Sequence, residues 1–185
     1  MKIVVGITGA TGAPLAYKVL EQLNELKIET HLIMSQWAKT TIDLETNYKV
    51  EDFKALATTV YSYCDQAAAV SSGSFKADAM IIVPCSMKTL ASIRCGLADN
   101  LISRTADVML KERRELILAV RETPLNSIHL KNMLHLSNMG ARICPPMPAF
   151  YNNPKTINDI LTHNAVRILD QLHLSHPDAK RWKTK

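Results

Sequence analysis

Short apolar runs alternate with longer amphipathic stretches along the whole chain. Lys2–Ile7, Glu29–Met34, Ala79–Val83 and Leu116–Val120 are dominated by Val, Ile, Leu, Met and Ala. Runs this apolar suit strands buried on both faces of a parallel sheet. Between them the apolar positions fall at helical spacing. Leu15, Val19, Leu20 and Leu23 share one face of a helix that opens at Ala13-Pro14 and runs to about Leu26. A second helix starts at Gln36, with Ser35 as a natural N-cap. Asp52–Ala57 reads as a short helix, while Val60–Tyr63 and the segment to Val70 show no clear period. Ser71-Ser72-Gly73-Ser74 is a loop signal, either a plain surface connection or a mobile flap over a site. A helical pattern follows Thr89, and another helix spans about Asp99 to Arg114. After Pro124 a helix runs from about Asn126 to Met139 and stops at Gly140. A short strand, Ala141–Cys144, then a rigid Pro-rich connection to Tyr151, lead to a last helix, about Thr156 to Leu172. The tail, about 173–185, ends in Arg181-Trp182-Lys183. A Trp in a tail points to docking, on its own domain or on a neighbouring subunit.

Strand and helix alternating in this way predict a single three-layer α/β domain over residues 1–185, with a parallel sheet of flavodoxin-like or Rossmann-like type. In such sheets ligands bind outside the C-terminal ends of the strands. The residues that follow each apolar run are therefore the candidates for chemistry. Gly9-Ala10-Thr11 follows the first run. Its spacing, Gly6-x-x-Gly9-x-x-Gly12, is not GxGxxG; small residues there let backbone N–H groups approach a ligand, and equally make a tight strand–helix turn. Ser35 follows the second run, where a nicotinamide-binding domain carries an acidic ribose ligand. Ser86-Met87-Lys88-Thr89 follows the third, and a helix start favours an anion. Arg121-Glu122 follows the fourth, placing a guanidinium beside a carboxylate. Arg104, mid-helix among apolar neighbours, needs an anion or a salt bridge if buried. Of the cluster Lys111, Arg113 and Arg114, only Lys111 is expected to face inward; the others complement the helix C-terminus. Glu45 near the end of its helix reads as solvated, and His129 and His135 carry no assignment. The residues by themselves give an α/β domain whose sheet edge holds an anionic, phosphorylated ligand next to Glu122.

Composition narrows this further. A chain of 185 residues with 47% hydrophobic content can bury one sizeable core. The net charge is +5, but the 22 Lys and Arg are scattered and form no basic run with interleaved aromatics. That argues against nucleic acid and for a small anion. The first apolar run is broken by Gly6 and Thr8-Gly9, and no run approaches membrane-spanning length, so neither a signal peptide nor a membrane partner is expected. Cys64, Cys85, Cys95 and Cys144 form no CxxC pair and no zinc spacing. They read as reduced, mostly buried thiols of a cytoplasmic protein without a metal site.

The ordered set GITGATGAPL, MSQWAKTTIDLET, SSGSF, PCSMKTLASI, RTADVMLKERR, VRETPL, HLKNML, PPMPAFY and NAVRIL resembles the flavin prenyltransferase family of the UbiX/Pad type, and most of all the B subunits of hydroxyarylic (phenolic) acid decarboxylase systems. The resemblance runs from Met1 to Trp182. It implies FMN at subunit interfaces of a homo-oligomer, often a dodecamer. It also implies transfer of a dimethylallyl group from dimethylallyl monophosphate to reduced FMN, giving prenylated FMN for a separate UbiD-type decarboxylase. Carried over by motif, Gly9, Ala10, Thr11, Ser35, Ser86, Met87, Lys88, Thr89 and Arg121 bind FMN, and Arg104 reaches the flavin phosphate across an interface. Lys111, Tyr151 and Arg167 hold the prenyl phosphate. Glu122, Thr11 and Glu45 manage protons, and Trp182 walls the prenyl pocket. Many family members have Ser where this chain has Thr11, which keeps the hydroxyl and adds a methyl.

The chemistry implied agrees with the residue types. Fixed cations stabilise a departing phosphate, aromatic faces stabilise an allylic cation, and closure at the flavin C6 needs a base such as Glu122. There is no Asp-rich, magnesium-binding cluster, which favours a monophosphate held by cationic side chains. Three other readings compete: an FMN-dependent cysteine-type decarboxylase, an aromatic acid decarboxylase in its own right, and a non-catalytic FMN-binding decarboxylase subunit. The first usually carries PASANT-like and PxMNxxMW-like segments; here the former reads Pro84-Cys85-Ser86-Met87-Lys88-Thr89 and the latter is absent.

Overall fold

The computed structural model describes residues 1–183. The apolar runs form the strands expected of them: β1 (Lys2–Ile7), β2 (Glu29–Met34), β4 (Ala79–Cys85) and β5 (Glu115–Val120). The stretch without a clear period holds a short edge strand, β3 (Thr59–Tyr61), and β6 (Arg142–Ile143) forms the opposite edge. All pair in parallel, in the order β3-β2-β1-β4-β5-β6. This is the Rossmann strand order, and it sets the topological switch point between β1 and β4.

The helices are α1 (Ala13–Glu25), α2 (Gln36–Glu45), α3 (Val50–Ala55), α4 (Met87–Arg94), α5 (Leu101–Lys111), α6 (Ser127–Asn138) and α7 (Ile157–Asp170). Alternate residues of each central strand point to opposite faces, so the sheet has a core on each side. On one face Ile3, Val5, Ile7, Ile81, Val83 and Ile117 meet the apolar sides of α1, α2, α3 and α7. On the other, Val4, Met80, Ile82, Leu116 and Leu118 meet α4, α5 and α6. The result is the three-layer domain expected. No helix among the described residues is long and apolar enough to cross a membrane.

Four expectations are corrected. The helix expected over Asp99–Arg114 is trimmed at both ends. Asn100 caps it by accepting from Ser103 N, and Arg113 turns left-handed at φ 54°. The short helix starts earlier than Asp52 because the Asp52 carboxylate accepts the Lys49 amide as part of its cap. Cys64 and Cys95 are exposed, Cys144 is half-buried and only Cys85 is fully buried, its thiol pushed up to about 12 by burial. The Ser71–Ser74 loop is tied down rather than free. Arg104 donates to Ser71 O, and Arg114 donates to Gly73 O and Phe75 O. A Cβ on Gly73 would come within 2.8 Å of Lys111 Nζ, so the loop lies against the end of α5.

Within the described residues the tail contacts its own domain; residues 184 and 185 of the expected tail lie outside them. His176 Nε2 pairs with Glu25 at 2.8 Å, Arg181 makes two bonds to Asp170, and Trp182 packs on Tyr151.

Candidate active site

The crevice at the switch point is built by Thr8. The residue is 2% exposed, and its hydroxyl donates to Pro84 O at 2.7 Å and accepts from Ser86 N at 2.9 Å. One side chain thus fastens the end of β1 to the turn between β4 and α4. Gly9 follows and lies against α2: a Cβ there would stand 2.2 Å from Trp37 Cβ, so only glycine permits this approach. Ala10 and Thr11 are half-buried and exposed at the crevice. Ser35 caps α2 through Ala38 N at 3.1 Å, and Ser86 caps α4 through Thr89 N at 3.3 Å. Among the described residues no group accepts the Met87 and Lys88 amides, which are the orphan donors of a helix start. Arg121 and Glu122 follow β5 on the same edge, both exposed, and Arg121 N bonds Cys85 O at 3.1 Å. Glu122 accepts from the neighbouring Thr123 amide at 3.1 Å. No group among the described residues pairs with the Arg121 guanidinium.

The start of α1 differs from the expectation. Glu45 Oε2 accepts from Gly12 N at 2.8 Å and Ala13 N at 2.9 Å. The amides expected to approach a ligand there are used by a carboxylate that complements the helix dipole. Glu45 is therefore fastened to the crevice wall rather than solvated.

Beside this crevice lies a cavity of ≈ 530 Å³. It opens where β6 ends: Cys144 N bonds Leu118 O at 2.9 Å, so the cavity stands one strand over from Arg121 and Glu122. Tyr151, His163, Arg167, Lys180, Arg181 and Trp182 line it. Trp182 meets the Tyr151 ring edge-on, with centroids 5.4 Å apart. Asp170 lies beneath, its side chain 10% exposed, and takes Arg167 Nη1 at 2.7 Å and both Nη atoms of Arg181 at 2.9 and 2.7 Å. Burial pushes the Asp170 carboxyl up, but the Arg181 bonds and charge, then those of Arg167, hold it below the usual range. Burial raises the Cys144 thiol, against the opposing charge of Arg167. A cavity lined by both guanidinium groups and aromatic rings suits an anion carrying an apolar tail.

The structure thus brings Gly9, Ala10, Thr11, Ser35, Glu45, Ser86, Met87, Lys88, Thr89, Arg121 and Glu122 to one sheet edge, and Tyr151, Arg167 and Trp182 to the adjoining cavity. Two residues do not join them within the chain. Arg104 is satisfied by Ser71 O and by Asp107 at 2.7 Å. Lys111 does not face inward: it pairs with Glu112 at the end of α5 that leads into the start of β5, the opposite edge of the sheet. Three groups had no role in the sequence reading: Thr8, His163 and Asp170. Thr8 offered no signal beyond its place after an apolar run. His163 and Asp170 lie one helical turn either side of Arg167, which was a usable signal.

Comparison with known proteins agrees with this geometry. The Flavoprotein family pattern matches residues 1–168. A probable UbiX-like flavin prenyltransferase of Escherichia coli is 59% identical over 184 residues, covering 99% of this chain and 93% of that one. The dodecameric FMN-dependent UbiX-like decarboxylase of Escherichia coli O157:H7 superposes with a TM-score of 0.98 at 58% identity, over 100% of both chains. AnUbiX (PadA1), solved with FMN and dimethylallyl pyrophosphate, superposes with a TM-score of 0.98 at 55% identity, over 100% of this chain and 98% of that one. With matches of this extent and identity, the chain belongs to the flavoprotein family and, within it, to the UbiX-like flavin prenyltransferases.

Proposed function

We propose that this chain moves a dimethylallyl group from dimethylallyl monophosphate to N5 and C6 of reduced FMN, and that the prenylated FMN serves a UbiD-type decarboxylase. The observation that carries the reading is the adjacency of two unlike sites. The crevice offers anion donors and a carboxylate, and one strand away the cavity joins Tyr151, Arg167 and Trp182. FMN fits the crevice. Among the described residues the Met87 and Lys88 amides and the Arg121 guanidinium have no partner, which suits a phosphorylated ligand, and the Gly9 turn permits close approach. Ser35, Ser86, Thr89, Ala10 and Thr11 complete that wall.

Reduced flavin supplies the nucleophilic atoms that take the prenyl group. The chain's residues do the rest. Arg167 and Tyr151 stabilise the phosphate as its bond to the allylic carbon breaks, where fixed charge acts most strongly on the developing anion. The faces of Trp182 and Tyr151 flank the allylic cation. Glu122 takes the proton released from C6 when the second bond, the carbon–carbon bond to C6, forms.

The reading includes assembly as a homo-oligomer, because Lys111 and Arg104 can serve such a site only from a neighbouring copy. Exposed Leu130 and Leu134, one turn apart on α6, offer apolar surface for it. The test is to incubate purified protein with reduced FMN and dimethylallyl monophosphate and weigh the flavin. A mass increase of one prenyl group is expected; unchanged flavin with FMN bound would refute the activity.

A further inference from the structure

His163 is a buried group of the cavity wall to which the proposed reaction gives no task. It stands on α7 one turn before Arg167 and is 6% exposed. Its Nε2 lies 3.2 Å from Tyr151 Oη, with the two rings nearly perpendicular at 85°. Among the described residues nothing partners Nδ1. The charged and titratable groups around it are Arg167 and Asp170 on its own helix, Tyr151 and Cys144 from the segment after β6, and Lys180 and Arg181 from the tail. Asp159 and Asp178 lie on its far side.

A neutral imidazole carries one proton and therefore has two arrangements here. With the proton on Nδ1, a buried donor is orphaned and Nε2 must accept. Tyr151 then gives its only proton to the imidazole and turns lone pairs toward the cavity. With the proton on Nε2, the imidazole donates to Tyr151 Oη, and the phenolic proton is free for the cavity. Buried orphan N–H groups are rarer than under-satisfied acceptors, which favours the second arrangement. An anion beside Arg167 favours it too, because only the second arrangement meets that anion with a donor. Burial, then the charge of Arg167, hold the His163 pKa below the ordinary histidine value, which keeps the ring neutral.

We infer that His163 is a positioning residue: by donating from Nε2 to Tyr151 Oη, it makes Tyr151 a hydrogen-bond donor to the phosphate of the prenyl donor. The inference rests on the reading of this cavity as the prenyl phosphate site.

A double-mutant cycle on the FMN-loaded protein tests it, with kcat/KM for dimethylallyl monophosphate as readout. Tyr151→Phe is expected to lose about 10–100-fold, the range for a hydrogen bond to a charged group. His163→Phe keeps the packed ring and removes both nitrogens; it is expected to lose about 3–10-fold in the parent and nothing further in the Tyr151→Phe background. His163→Gln, which retains an N–H donor, should recover most of the loss. His163→Met replaces the Phe variant if thermal melting shows that the latter does not fold. An unchanged kcat/KM in His163→Phe, or an equal loss in both backgrounds, overturns the inference. Arg167→Ala separates the two levels of the argument. If it lowers kcat/KM while the cycle shows no coupling, only the role of His163 fails. If it leaves kcat/KM unchanged, the cavity is not the phosphate site and both fail.

Discussion

Asp170→Asn should open the C-terminal tail. In the folded chain one carboxylate holds Arg167 through one bond and Arg181 through two, and Arg181 immediately precedes Trp182. Asn keeps the shape but removes the charge and one acceptor oxygen of the bidentate pair. The Asp170 side chain is 10% exposed, while those of Arg167 and Arg181 are 51% and 43% exposed. The contribution therefore lies between an exposed pair, which is worth little, and a buried one, whose breaking is costly. This corresponds to a shift of about 5–30-fold in the ratio of open to closed tail. His176 remains on Glu25, so only the segment beyond it is released. The chain has two Trp residues, so a Trp37→Phe background leaves Trp182 as the sole reporter. Trp182 is already 63% exposed in the closed tail, so opening is read through the loss of its contact with Tyr151: its fluorescence anisotropy should fall in Asp170→Asn. The sign of the pH effect follows from the depressed carboxyl. A group whose folded pKa lies below its unfolded value contributes fully above the ordinary Asp value of about 3.9, and loses its contribution as pH falls through the lower folded value. The parent tail should thus stay closed from pH 7 to 5 and open only in stronger acid, and the Asn variant should show no such transition. Equal anisotropy of parent and variant at pH 7 would refute the latch.

The remaining predictions address the reaction and its assembly. Glu122→Gln should bind FMN and release phosphate but form closed-ring product about 10²–10⁴-fold more slowly, whereas Arg167→Ala should slow phosphate release itself; comparing the two rates in each variant is the check. Thr8→Val removes both bonds that fasten β1 to the β4–α4 turn and should destabilise the fold by about 1–3 kcal/mol while weakening FMN, as read by thermal melting and flavin titration. Lys111→Ala and Arg167→Ala should each be strongly impaired alone, yet regain part of the activity when the two chains are co-expressed. No recovery in verified mixed oligomers would count against a site shared between copies.

The sheet was legible because its central strands are buried on both faces and so read as unbroken apolar runs. The crevice was legible for the same reason, since its residues are those that follow the runs. Contacts made across long sequence separations were not. Thr8 meets Pro84 and Ser86 only because β1 and β4 are neighbours, 76 and 78 residues apart in sequence. Glu45 reaches Gly12 across 33 residues, and no local pattern marks a carboxylate bound for another helix's start. Lys111 is a different case. Its motif associates it with Tyr151 and Arg167, but α5 runs back across the sheet and delivers it to the start of β5. Each central strand of about six residues spans roughly 20 Å, far beyond a lysine side chain's reach. A chain that places Lys111 on one edge of a parallel sheet and Arg167 and Tyr151 by the other cannot bring them together alone. If Lys111 acts on the prenyl phosphate, it acts on that of another copy. The oligomer is then a condition of the chemistry, and the exposed apolar side of α6 has a reason to be there.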